Sequence, residues 1–72
     1  MRAHLTPTLY DDLARSLDDA ITAEGLVNIP VLAEQIRLRN QEANIALEDI
    51  AAELMRQALA RNAMMEFDAG HC

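Results

Sequence analysis

Ala46-Leu47-Glu48-Asp49-Ile50-Ala51-Ala52-Glu53-Leu54-Met55-Arg56-Gln57-Ala58-Leu59-Ala60-Arg61 is the longest stretch of the chain with a single clean period. Leu47, Ile50, Ala51, Leu54, Met55, Ala58 and Leu59 recur at steps of three and four, so one side of a helix is apolar and must be covered. Glu48 and Asp49 stand in the first turn and Arg56 and Arg61 towards the end, the order of charge that the helix dipole favours. Asn62 follows, a residue that tolerates the left-handed conformation with which many helices stop. The spacing predicts a helix over 46–61, and the rest of the chain has to supply the surface it packs on.

Upstream, Asn40-Gln41-Glu42-Ala43-Asn44 has no period and reads as a connecting loop. Before it, Asn28-Ile29-Pro30 opens a helix over 29–39, because proline lacks the N–H that a first turn leaves unpaired. Ile29, Leu32, Ala33 and Ile36 share one face of that helix, while Val31 and Leu38, seven residues apart, fall on nearly the opposite one. A first helix over 7–24 begins with Thr6 as N-cap and Pro7 in its first position, with Thr8 and Asp11 as an alternative capping box. Leu9, Leu13, Leu17, Ala20 and Ile21 form its stripe. Gly25 then provides a left-handed stop, with Leu26 placed to touch Ile21 in a Schellman motif.

Three amphipathic helices joined by short connections predict an all-α fold, a three-helix bundle in one domain over residues 1–72. A short apolar tail over 63–67 is expected to extend and fold back over it. The expected core is Leu9, Leu13, Leu17, Ile21, Leu32, Ile36, Ile50, Leu54 and Ala58, with Leu26 and Phe67 as end plugs. A chain of 72 residues buries only a small core, so a second source of stability is expected. The lone cysteine, Cys72, forms no internal disulfide, and with His4 and His71 near the chain ends it does not complete a structural zinc site. Regular helix packing and self-association remain, and neither a metal nor a cofactor is expected.

The net charge of −6 gives the molecule a field that repels phosphate and favours basic partners. No apolar run approaches the ~20 residues of a membrane span, and residues 1–5 do not lead into a signal-peptide core, so a cytoplasmic location is expected. Asp11, Asp12, Asp18 and Asp19 lie opposite Leu13 and Leu17 on the first helix, with Arg15 among them, as a solvated acidic face does. They do not form an acid pair for catalysis or the wrapped oxygen cage that calcium needs. Ser16, Cys72, His4 and His71 are the remaining nucleophile and base candidates, and three of these four lie near chain ends, where preorganisation is poor. Ser16-Leu17 resembles the attachment pair of carrier proteins, but it follows Arg15 rather than Asp and lies within the first helix instead of opening the second.

Two binding functions are left. In the first, the chain is a non-enzymatic protein–protein interaction module, an adaptor, regulator or inhibitor that self-associates as a homodimer. Val31, Leu38, Met55 and Leu59 would be its anchors, and the acidic surface would suit a basic protein, including one whose groove normally takes nucleic acid. Val31 and Leu38 belong either to that interface or to the core. The alternative is a small wingless helix-turn-helix DNA-binding regulator, with helices 29–39 and 46–61 as its pair and Arg37, Arg39, Arg56 and Arg61 as its contacts. Against it stand a connection longer than three or four residues and an expected exposed front carrying Glu48, Asp49 and Glu53.

Overall fold

Thr6 does what its position before Pro7 predicts: its Oγ1 accepts the Leu9 N–H at 3.1 Å. A computed structural model of the chain, which describes residues 5–68, places helix α1 over Pro7–Glu24 and helix α2 over Ile29–Arg39. A single 3₁₀ turn, Gln41–Ala43, leads into helix α3 over Leu47–Ala60. The α2 bounds equal those expected, and α3 is one residue shorter at each end. Asn28 caps α2 through its Oδ1, which accepts the Val31 N–H at 3.4 Å. Ala46 gives α3 no side-chain cap, so Glu48 and Asp49 supply the negative charge at that end.

The helix ends are closed by left-handed residues. Asn62, at φ 56°, follows α3, and the Asn62 and Ala63 amides donate to the carbonyls of Leu59 and Ala58 at 3.0 and 2.9 Å. That pair of bonds is the Schellman motif. Gly25, at φ 75°, closes α1 differently, with one bond from its N–H to the Ile21 carbonyl at 2.8 Å. The Schellman pair expected there is not made, because the next residue enters a strand.

The three helices stand as expected, but they do not form a clean bundle. Strand β1, Leu26–Asn28, and strand β2, Met64–Glu66, form a two-stranded parallel sheet in which Leu26 pairs with Met64, Val27 with Met65 and Asn28 with Glu66. The architecture is three helices with a small sheet at one end, not a plain bundle. The tail does extend and return, but it does so by strand pairing. The side chains of Asn28 and Glu66 meet across the pair, amide Nδ2 to carboxylate Oε1, at 3.4 Å.

The core lies between the helices and the inner side of the sheet. Leu9, Leu13, Leu17, Val27, Ile29, Ala33, Ile36, Ile50, Leu54 and Ala58 are buried. Burying a large apolar side chain stabilises by about 1.5–3 kcal/mol before ordering entropy is subtracted. Ile21 and Leu32 only flank this cluster, while Val27, Ile29 and Ala33 take places within it. Phe67 is 58% exposed and Leu26 half-buried, so neither plugs an end: pairing in register keeps β2 at the rim of the molecule. α1 and α2 run antiparallel, since Asp12 meets Arg39 near one end while Ala23 and Glu24 border Val31 near the other. Among the described residues, no helix is long and apolar enough to cross a membrane.

Candidate functional site

The most connected polar cluster joins α1 to the end of α2. Arg39 reaches Asp12 with two bonds, Nε to Oδ2 at 3.1 Å and Nη2 to Oδ1 at 2.7 Å, and donates also to the Ser16 hydroxyl at 2.6 Å. Ser16 in turn donates to Asp12 Oδ1 at 3.1 Å, one helical turn along the same face. Asn40 Nδ2 donates to Asp12 Oδ2 at 2.7 Å and to the Ile36 carbonyl at 2.8 Å, tying off the C-terminal end of α2. The bonds from Arg39 hold the Asp12 carboxyl below its ordinary value of 3.8, against partial burial that raises it, with Asn40 and Ser16 adding to the lowering.

This arrangement suits a structural clamp better than a nucleophile. A carboxylate whose proton affinity is lowered by an arginine is a poor base for the neighbouring hydroxyl, and Ser16 Oγ is already occupied by Arg39. Since the folded pKa of Asp12 lies below 3.8, its contribution to stability is full above that pH. The contribution is lost as pH falls through the folded value. Asp12→Asn is therefore expected to cost about 1–2 kcal/mol at neutral pH, a charged hydrogen-bond loss reduced by the exposure of Arg39. Urea unfolding should show the gap to the parent protein closing in the acid limb. A gap unchanged at acid pH would mean that shape, not charge, makes the clamp.

Three further arginines are also paired. Arg37 donates to Glu34 one turn back, Nη2 to Oε2 at 2.7 Å. Arg56 forms an ion pair with Glu53, to which Gln57 Nε2 also donates at 3.0 Å. Arg61 Nη1 lies 3.4 Å from Asp18 Oδ1, linking the end of α3 to α1. All four arginines proposed to contact DNA are thus engaged by carboxylates within the fold. Among the described residues, Arg15 is the arginine left without an ion pair. Glu53, expected on an exposed front, is buried instead, because its side of α3 turns inward with Ile50 and Leu54.

The acidic face divides into two parts. Asp12 and Asp18 are used in the links to Arg39 and Arg61, Asp18 while still exposed, whereas Asp11 and Asp19 are exposed and outside those links. The four apolar candidates are likewise spread out. Val31 is half-buried in a groove of about 160 Å³ lined also by Ala20, Ala23, Leu26 and Leu32. Leu38 is 51% exposed beside an open depression that includes Thr6, Thr8 and Arg39. Met55 packs partly against the core, and Leu59 on α3 is 64% exposed. Neither depression brings the α2 pair together with the α3 pair.

Sequence reasoning missed four exposed large apolar side chains, Tyr10 and Leu47 on the helices and two more at the sheet. Met64 is 71% exposed and Phe67 58% exposed, both at the β2 rim. The alternation of Met64 and Glu66 against the half-buried Met65 was the available signal, and three residues are too few for it to stand out. Among the described residues, no group of three or more His, Cys, Asp or Glu is placed to hold a metal ion. His4, His71 and Cys72 lie outside the described residues. In comparison with known proteins, the chain matches no family model, no curated protein and no solved structure.

Proposed function

We infer that this chain is a non-enzymatic protein-interaction module whose partner offers an apolar, basic surface. The observation that carries this reading is the exposure of Leu38 and Leu59 on the outer sides of α2 and α3, at 51% and 64%. Large apolar side chains exposed on a small domain with a net charge of −6 fit separate apolar anchor points, each surrounded by charge. Asp11 and Asp19, left over from the internal ion pairs, steer a basic partner toward it. Binding to DNA has less support, because Arg37, Arg39, Arg56 and Arg61 would each have to give up a carboxylate to take a phosphate.

Capture from native lysate with a tagged copy, after nuclease treatment, tests the reading when wild type is compared with a Leu38→Asp, Leu59→Asp double variant. A stoichiometric protein retained by wild type and lost by the variant is expected. Bound material that disappears with nuclease would overturn it in favour of the helix-turn-helix reading.

A further inference from the structure

The sheet has one protected edge and one open edge. β1 packs on α1 and α2 as well as on β2, and its three residues are half-buried, buried and half-buried. β2 packs chiefly on β1 and α3, and of its residues only Met65 is even half-buried. Beyond the β1–β2 pairing, no backbone hydrogen bond among the described residues involves Met64, Met65 or Glu66. A strand edge with unpaired amides and carbonyls is a template for another strand. The charge that would blunt it is turned aside: the Glu66 carboxylate is directed along the sheet face to the Asn28 amide.

We propose that the open edge of β2 pairs antiparallel with β2 of a second copy of this chain, giving a continuous four-stranded sheet across a two-fold axis. This deepens the interaction reading and rests on it, since it names a second copy as one occupant of the surface. A second copy fits because the strand is self-complementary. Centring the axis on Met65 sets Glu66 opposite Met64 of the other copy and Phe67 opposite Ala63, so no like charges face each other and the large ring lies over the smallest neighbour. Met64 and Phe67, at 71% and 58% exposure, are the side chains this pairing covers. Together they present roughly 300 Å² per copy, or roughly 600 Å² for the pair, below the range of stable interfaces, so the association is weak and reversible.

Salt provides the first test. Two copies each carrying −6 repel one another, so the dimer strengthens as salt rises, whereas a complex with a basic protein weakens. Sedimentation equilibrium of the full chain should show a concentration-dependent dimer whose fraction is larger in about 0.5 M salt than in about 0.05 M, where the screening length is several times longer. The register provides the second. Met64→Glu places a like charge opposite Glu66 twice per dimer and should weaken association about tenfold or more. Met64→Lys places an opposite charge there and should keep or tighten it. Circular dichroism should confirm the helices in both variants.

A chain that stays monomeric up to about 1 mM in high salt overturns the pairing, given that specific weak interfaces still form in that range. So does a dimer that responds alike to Met64→Glu and Met64→Lys. A monomer that still captures a nuclease-resistant protein overturns the pairing alone, and a dimer that captures nothing overturns the foreign-partner reading alone.

Discussion

Val27→Asp is expected to abolish folding, while Leu38→Asp is expected to leave the helical spectrum and the melting midpoint nearly unchanged. Val27 is the centre of β1 and fully buried among the core side chains. A carboxylate there loses its water and gains no cation, a cost of several kcal/mol even after the group takes up a proton. A 72-residue domain has roughly 4–11 kcal/mol of total stability to oppose it. Leu38, half of whose surface already meets water, accepts the same charge at a cost within about 0.5 kcal/mol. Circular dichroism with thermal melting separates the two. A folded Val27→Asp protein would mean that the sheet does not cap the core, and an unfolded Leu38→Asp protein would place Leu38 in it.

The second large effect is expected at Leu54→Ala. Leu54 is fully buried on α3, at the level where Ile50 and Ala58 precede and follow it by one turn. Removing its branched end leaves a cavity that three helices can close only in part, and the expected loss is about 2–5 kcal/mol. That is close to the whole margin of so small a domain, so the variant should unfold at markedly lower urea with an unchanged slope. The same truncation at Leu59, further along α3 and 64% exposed, should cost a fraction of it. Equal losses at the two positions would mean that Leu59 is covered in solution.

The helix boundaries were legible because they depend on local chemistry. Thr6 with Pro7, Asn28 with Pro30, and the left-handed Gly25 and Asn62 act within one turn of themselves, and the structure uses all of them. The strands were not legible, since β1 and β2 are three residues each and neither carries enough alternation to declare itself. Once β1 forms, Val27 turns inward and the start of α2 follows it, which is why Ile29 and Ala33 displace Ile21 and Leu32 from the centre of the core. The acidic and basic candidates were found as residue types but not as pairs. Asp12 meets Arg39 only because α1 and α2 lie antiparallel in one register, information that no local window contains. Glu53 illustrates the same gap: the wheel gives its angle on α3 but not what lies on that side.

The parallel pairing of β1 with β2 also sets an order of events during folding. Asn28 and Glu66 are 38 residues apart, so joining them before the helices form would close a long flexible loop at an entropic cost of about 3 kcal/mol beyond the constant term. The packing of α2 on α3 joins neighbours across a short connection and carries no such burden. Once that hairpin of helices has collapsed, the ends of the loop are already near each other, and closing the strands completes the core by bringing Val27 into it. A ladder that forms last is expected to open first, so amide exchange at Met64–Glu66 should report fluctuations that leave the helices in place, well below the energy of global unfolding.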